Sequence, residues 1–513
     1  MNHKRIYMRY RILLSIILLG LLMPAFAQVN GDLTQFAEKK ILRVWGTHYQ
    51  RGYAQGFYLA PQIKEVFQDF FWTMFCFSNL PYYEMLHGYY SQNFVADTRM
   101  NSEAQGIIDG ILASGTTLYH AGLGRDIGYE DLLMLNAVYD LVDVLDKSGM
   151  APQVELGCAS LSSWGNATSS DPILSGSSVI TRFLDVSPNS AFINNPLIVV
   201  HYPAEADEQK WINFTMPGFF GAITAISESK VFASINTGAE HAASSINNLS
   251  PILFDLRHGI ERIDLDNNGI SHPLDIFTSI GMYNNHSANM IHTLWESEGN
   301  VYSSVIERKN NVIANRLASQ NGSLPSHHLA VTNHFRLISN NTCCSRYANI
   351  QDSLWTYAMV DAKRQWKVLA GAAGLESNLL AVQFTPSTGA IIWATATLTE
   401  PAHSRPGFNL STEYLFTNTV SNSDVVAVVP EARISLYPNP ISHGMKLSVK
   451  SNEALKQIEI FNIKGQKIGS YTADAKASEH HLPAFNISSP KGIYLLKATT
   501  QKANISTHKI VLK

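Results

Sequence analysis

Apolar residues follow three successive patterns along the chain. From residue 28 to about 150 they recur at helical spacing: Ala60 to Phe71, Ala104 to Leu112 and Asp131 to Leu145 place apolar side chains three or four positions apart with few breakers, so this stretch is predicted to be mostly helical. From about Leu156 the period shortens. Leu197 to His201, Val231 to Ile235 and Ala390 to Thr397 are β-branched runs punctuated by Gly, Asn and Ser, and read as strands. Helical spacing returns near Leu274 to Ile280 and Ser345 to Leu354. Strands mixed with helices predict an α+β layered domain over residues 158–420, preceded by a helical segment over 28–157. Residues 421–432 read as a linker. Beyond them Ile434 to Tyr437, Met445 to Val449, Gln457 to Phe461, Gly492 to Ala498 and Lys509 to Leu512 are short alternating runs separated by turn residues such as Asn439-Pro440 and Lys464-Gly465. That pattern predicts a small all-β sandwich over 433–513.

Composition fits this division. The chain has 513 residues, 45% hydrophobic and 15% charged, which excludes a disordered protein and allows about three folded units at roughly 150 residues each. A formal net charge of -3 gives no electrostatic reason to expect a nucleic-acid partner. Lys4, Arg5, Arg9 and Arg11 precede an apolar run from Ile12 to Leu22, and Ala25-Phe26-Ala27 follows it. A basic start, a short apolar core and a small-x-small exit make residues 1–27 a secretory signal peptide cut after Ala27. The run falls well short of the ~20 residues that span a bilayer, and no later segment is long and apolar enough to do so.

The cysteines are Cys76, Cys158, Cys343 and Cys344. Adjacent Cys343 and Cys344 are an awkward start for a disulfide framework, so at least one cysteine is expected to be chemical rather than structural. A cysteine nucleophile needs a base. Papain-like enzymes use a histidine, for which His334 and His241 are the candidates beside Cys158. A cysteine at a chain terminus can use its own α-amine, whose pKa of about 7.7–8.0 suits work near neutrality. The second solution requires a cut before Cys158, and Gly157 suits one, because it permits unusual backbone angles and gives a thiol access to its carbonyl. Downstream lie Arg182 and Asp185, three apart on a predicted strand; Asn236, after an apolar run; Thr332-Asn333-His334; and Ser345-Arg346-Tyr347. By themselves these also read as a salt bridge and as turn caps. Separately, Asp264-x-Asp266-x-Asn268-Gly269, ending at Asp275, has oxygen ligands at alternate positions, a turn glycine and a final carboxylate, the pattern of a calcium loop. It departs from the usual loop in ending on Asp instead of Glu. Calcium here is expected to stabilise; no cofactor is expected for the chemistry. The alternative is an Asx-rich surface turn.

Gly157-Cys158-Ala159-Ser160, Arg182-x-x-Asp185, Asn236, Thr332-Asn333-His334 and Ser345-Arg346-Tyr347, in this order, resemble peptidase family C45. That family includes acyl-coenzyme A:6-aminopenicillanic acid acyltransferase and is related to choloylglycine hydrolases. Arg51-Gly52-x-x-x-Gly56 also resembles its N-terminal segment, so the likeness spans roughly residues 40 to 400. The resemblance implies a four-layer αββα N-terminal-nucleophile core and self-cleavage between Gly157 and Cys158, with residues 28–157 able to persist as a small subunit. Cys158 would cleave a linear N-acyl amide. Arg182 and Asp185 would hold its amine and thiol as a charge pair, Asn333 (side chain) and Asn236 (backbone) would form the oxyanion hole, and Arg346 would support the cluster. The aromatic-rich segment Phe70 to Tyr90 is a candidate for the substrate pocket. The competing readings are a papain-like protease and a non-catalytic surface protein keeping the fold.

The tail has its own resemblance. Leu436-Tyr437-Pro438-Asn439-Pro440, Ile460-Phe461-Asn462-Ile463-Lys464-Gly465-Gln466 and Pro490-Lys491-Gly492-Ile493-Tyr494-Leu495-Leu496 resemble the type A C-terminal sorting domain of the type IX secretion system. This implies a Bacteroidetes-type cell, export through the outer membrane with that machinery as partner, and removal of the tail.

Overall fold

A computed structural model describes residues 29–36, 39–147, 156–186, 189–238, 248–282, 287–320, 323–339, 344–372 and 378–417, and, in the tail, 434–442, 444–451, 454–462, 466–474, 477, 479–482, 490–501 and 505–513. The signal segment, the linker, His241, Cys343 and the Lys464-Gly465 turn lie outside the described residues. The chain divides into two compact units, residues 1–417 and 418–513.

The first unit is a mixture of helices and sheets. A nine-stranded sheet runs in the order Gly31–Phe36, Lys39–Gly46, Leu197–Pro203, Trp211–Thr215, Thr224–Ser227, Phe232–Thr237, Asn289–Ser297, Asn300–Lys309, Val312–Leu317. A six-stranded sheet runs His328–Val331, Leu156–Ser163, Val179–Val186, Asn378–Thr385, Ala390–Thr395, Phe408–Ser411. The start of the N-terminal segment corrects the helical expectation: it opens with two strands, and Lys39–Gly46 pairs in parallel with Leu197–Pro203. Tertiary pairing decides this, since a lone alternating run is weak evidence for a strand until a neighbour completes its ladder.

The rest of that segment is helical. Thr47 caps helix His48–Val66 in a capping box with Gln50. This helix lies against Thr98–Ala113 with glycines interlocked. A Cβ on Gly52 or Gly56 would stand 2.0 or 2.1 Å from the carbonyl oxygens of Glu103 and Ile107, and one on Gly106 or Gly110 would meet those of Tyr49 and Tyr53 at 2.2 and 2.1 Å. The Gly52-x-x-x-Gly56 spacing therefore lets two helix backbones touch. Asp131 to Leu145 splits into Tyr129–Asn136 and Val138–Lys147.

Strand alternation separates the two faces of the six-stranded sheet. Ala159, Leu161 and Phe183 pack with Tyr347, Ile350, Leu354, Val368 and Leu369 of helices Ser345–Thr356 and Ala362–Ala370. Cys158, Ile180 and Leu184 belong to the large core shared with the nine-stranded sheet, including Phe232, Ile235 and Ile291.

The second unit is a pair of sheets, three strands (Ile434–Tyr437, Leu447–Ser451, Glu479–Leu482) and four strands (Lys467–Thr472, Leu455–Asn462, Gly492–Thr500, Ile505–Leu512). Its own core holds Ile441, Val449, Ile458, Leu496 and Ile510. Lys467–Thr472 and Glu479–Leu482 add strands to the expected set; both are short and largely polar, which hides their period.

Candidate active site

Cys158 sits on strand Leu156–Ser163, fully buried, with its side chain on the face turned to the nine-stranded sheet. The neighbouring strand sets the register Gly157 opposite Asp185, Cys158 opposite Leu184 and Ser160 opposite Arg182. Arg182 and Asp185 are an odd number of positions apart on that strand, so they face opposite sides. The expected Arg182–Asp185 charge pair is not among the ion pairs of the described residues. Arg182 Nη2 instead reaches Cys158 Sγ at 3.5 Å and donates to the Ile235 carbonyl at 3.0 Å. Its Nε and Nη1 are buried without partners. Asp185 pairs with Arg346 Nη2 and accepts from Asn378 Nδ2 at 3.1 Å.

Asn333 follows strand His328–Val331 and joins the two halves of the cluster. Its Oδ1 accepts from the Cys158 backbone N at 3.2 Å and from Arg346 Nη1 at 3.0 Å. Its Nδ2 donates to the Thr237 carbonyl at 2.8 Å. Asn236 lies within strand Phe232–Thr237, not at a turn cap; its Nδ2 donates to the Thr332 carbonyl at 3.3 Å and its Oδ1 is buried without a partner. Each amide nitrogen thus donates one of its two hydrogens to a backbone carbonyl, which leaves a second for another acceptor. Gly157 lies in regular strand. It allows close approach and takes no unusual angle: a Cβ there would stand 3.3 Å from Asp185 Cβ and 3.4 Å from Arg346 Nη1, a tight fit.

The electrostatics describe a thiol at rest. Burial pushes the Cys158 thiol up, Arg182 opposes it, Asp185 adds to it and Arg346 opposes. Burial likewise raises Asp185 against the pull of Arg346 and Asn378. Two residues of this environment went unnoticed in the sequence. Asn378 joins Asp185 to the backbone N–H of His403, which donates to its Oδ1 at 2.8 Å. Tyr139, buried on Val138–Lys147, is pushed up by burial and by nearby Cys158. Neither stands in a motif. Among the described residues no histidine hydrogen-bonds Cys158. His334 Nδ1 is buried without a partner, and His292 is bound to Ser160 at 2.7 Å and Ser162 at 3.0 Å and lowered by burial to about 3. Cys76 and Cys344 are buried and free; Cys344 Sγ lies 3.2 Å from Thr332 Oγ1.

An apolar recess lies between the sheets, lined by Phe192, Met216, Leu379, Leu380 and Trp393. Leu380 is opposite Leu184, which is opposite Cys158, so the recess lies two strand spacings, ~10 Å, from the strand of Cys158. The Phe70–Tyr90 aromatics do not line it. Phe70, Phe71, Phe75 and Tyr83 are core residues, and Phe70 packs behind the recess with its ring 4.5 Å from that of Phe192.

Two further groups have metal-ligand character. His48, Glu208 and Glu261 place ligand atoms within 4.8 Å of one another. Arg51 and Arg257 already pair with these carboxylates, and His48 also bonds Glu103 at 2.8 Å. Burial lowers His48, but the Glu261 charge and hydrogen bonds to Glu103 and Glu208 outweigh it and raise it to about 9. With His48 protonated, it joins Arg51, Arg99 and Arg257 against Glu103, Glu205, Glu208 and Glu261, and no charge is left for a metal to neutralise. Asp264, Asp266 and Asp275 also gather within 4.8 Å. Asp275 is largely spent on capping: its oxygens accept from the Asp266 and His272 N–H groups at 3.0 and 2.8 Å. Asn268 Oδ1 accepts from Ile270 N, and Gly269 takes φ +94°. Asp264 accepts from the Gly269 N–H at 2.9 Å and Asp266 from the N–H and Nδ2 of Asn268 at 3.1 and 2.8 Å, the bonding of an Asx-rich turn; the residue types are those of an oxygen-donor set for a hard cation.

Comparison with known proteins bears mainly on the tail. Residues 435–513 match the family model for the secretion system C-terminal sorting domain. The chain thus carries a type IX sorting signal, which indicates secretion or cell-surface display in a Bacteroidetes-type bacterium and contact with that machinery. No helix among the described residues is long and apolar enough to cross a membrane. No curated protein matches the chain in sequence. A solved N-acylethanolamine-hydrolyzing acid amidase ortholog from Caenorhabditis elegans is similar at 14% identity and a TM-score of 0.32, over 45% of this chain and 93% of that one. A mutant conjugated bile acid hydrolase from Clostridium perfringens is similar at 10% identity and a TM-score of 0.29, over 49% and 92%. Likeness this distant fixes neither chemistry nor residues, so function is read from the site.

Proposed function

We propose that the chain is a self-processing N-terminal-nucleophile amide hydrolase or acyltransferase with an αββα core and Cys158 as nucleophile. One observation carries this reading. The thiol is held by Arg182 and its own nitrogen by Asn333, while no described histidine bonds it. The α-amine of Cys158 becomes a base once the Gly157–Cys158 bond is cut. In that cut Sγ attacks the Gly157 carbonyl carbon, the C–N bond breaks, and the thiol proton passes to the new α-amine. Water then hydrolyses the thioester, giving a Gly157 carboxylate and a free thiol. The same thiol next attacks a linear N-acyl amide, releases its amine and forms a thioester that water or an amine resolves. Arg182 offers unpartnered donors to the thiolate and acyl oxygen, Asn333 and Asn236 serve as oxyanion donors, and Asp185 with Arg346 holds the α-nitrogen region. The tail is of type A and is removed after export.

Mass spectrometry of the purified protein tests this: two fragments are expected, the larger starting at Cys158, and Cys158→Ala should be uncut and inactive. An intact chain that hydrolyses amides would sink the mechanism. The Asp264–Asp275 loop is proposed to bind calcium as a stabiliser. Calcium should then raise the melting temperature of wild type and leave Asp264→Ala unmoved, and an equal response in both would refute the site.

A further inference from the structure

We propose that Glu307 is a positioning residue for the reaction at Cys158, holding the turn that carries Asn333 through a buried ion pair with Arg316. The proposal rests on the reading of Cys158 as nucleophile. Glu307 and Arg316 lie on the paired strands Asn300–Lys309 and Val312–Leu317, are 0% and 1% exposed, and meet at 2.9 Å between Oε1 and Nε. The pair touches neither Cys158 nor Arg182. It reaches instead to both sides of residues 332–335, which follow strand His328–Val331.

On the entry side, Arg316 Nη2 donates to the Ala330 carbonyl at 3.0 Å. On the exit side, the Glu307 carboxylate accepts three consecutive backbone N–H groups. Arg336 donates to both oxygens at 3.1 Å, and Leu337 and Ile338 donate to Oε2 at 2.8 and 3.0 Å. Charge-assisted bonds from a buried carboxylate are the strong kind, and a loop offers few other fixed anchors for its N–H groups. Between these ends Phe335 is fully buried, and a Cβ on Gly238 would stand 2.9 Å from its ring. Asn333 lies three residues after Ala330 and three before Arg336. The contacts of its side chain with the Cys158 nitrogen and the Thr237 carbonyl are therefore set by ends that Glu307 and Arg316 hold. The clamp extends to Arg346 as well: the Arg336 guanidinium lies over the Tyr347 ring, 3.3 Å from its centroid, next to the residue that donates to Asn333.

Glutamine at 307 keeps the volume but offers one acceptor oxygen and turns an NH2 toward donors, so part of the clamp opens. A shift of ~1 Å in a positioned group costs about 10²-fold in rate, and a partial opening should cost ~30-fold. The test is Glu307→Gln in the full chain, read in two ways. Hydrogen exchange of the Arg336–Ile338 amides should accelerate at least ~10-fold. The self-cleavage rate and kcat should fall by about 30-fold with KM within about twofold. A folded variant with unchanged kcat, with an effect confined to KM, or with unchanged exchange in the turn overturns the proposal. Should Glu307→Gln not fold, Leu337→Pro decides, because it removes an exposed residue's N–H from the clamp and leaves the ion pair in place; the same directions at about 5-fold support the proposal, and wild-type kcat overturns it. Failure of the nucleophile reading looks different: a wild-type chain neither cut nor labelled at Cys158 by a thiol electrophile overturns both, whereas an active wild type with an equally active Glu307→Gln overturns positioning alone.

Discussion

Two buried charge clusters in the first unit are built to opposite accounts. Around Cys158 stand two guanidinium groups and one carboxylate: Asp185 pairs with Arg346, and Arg182 reaches Cys158 with no carboxylate of its own. Around His48, the carboxylates of Glu103, Glu208 and Glu261 face Arg51, Arg257 and His48 itself, all buried. The first cluster has an excess positive charge that a thiolate would complete. The second is closed in charge, although Arg51 Nε and Nη1 and one oxygen each of Glu103 and Glu261 also lack hydrogen-bond partners. An open balance suits a place where charge appears during a reaction, and a closed one suits an interface. The sequence positions agree with that division. His48, Arg51 and Glu103 precede Cys158 and Glu208, Arg257 and Glu261 follow it, so the closed cluster ties together the two pieces that a cut at Cys158 would create.

The comparison is broken most severely from the closed side. Glu208 bonds His48 at 2.9 Å and Arg51 at 2.8 Å, and pairs with Arg99. Glu208→Gln leaves buried cations uncompensated and is expected to cost about 3–5 kcal/mol in denaturant unfolding. It should also let the 28–157 piece separate from cleaved protein on size exclusion, while kcat of the folded form stays within about twofold. A variant that loses kcat without losing stability would make this cluster part of the site.

Arg182→Met attacks the open cluster. Removing an unpaired buried cation in favour of an apolar side chain should leave stability equal or higher, while turnover falls by about 10²–10³-fold. A large stability loss with intact turnover would assign Arg182 to the fold instead.

The third prediction concerns pH. His48 is raised from 6.5 to about 9 in the folded protein. The folded state binds this proton more tightly than the unfolded chain, so the stabilisation is fully present below about pH 6.5 and is lost as pH rises through 9. It amounts to about 3 kcal/mol. Melting temperature should fall over that window in wild type, and His48→Gln should start lower and show a flatter profile; parallel curves would refute the assignment.

How far the sequence alone reaches differs between the clusters. Cys158, Arg182, Asp185, Asn333 and Arg346 are all drawn together as their order suggested, yet the partner of Asp185 was misread, because spacing along a strand says which face a side chain takes but not which distant helix meets it. Arg51 and Gly52-x-x-x-Gly56 stood out as part of a family likeness, and their physical roles are plainer: Arg51 neutralises Glu208, and the glycines admit a second helix. Glu307, Asn378 and Tyr139 gave no signal, since an isolated Glu, Asn or Tyr in an apolar run has nothing local to mark it.

The sequence by itself determined the export signal of the tail and the helical stretches with strong period, because these depend on local periodicity, capping and turn chemistry. Only the tertiary structure decided that Gly31–Phe36 and Lys39–Gly46 are strands, that Gly157 lies close against Asp185 and Arg346, and that one cluster is open in charge and the other closed. Those outcomes depend on charges and backbones brought together from far apart in the chain, and their energies exist only once burial has removed the water that would otherwise screen and satisfy each group separately.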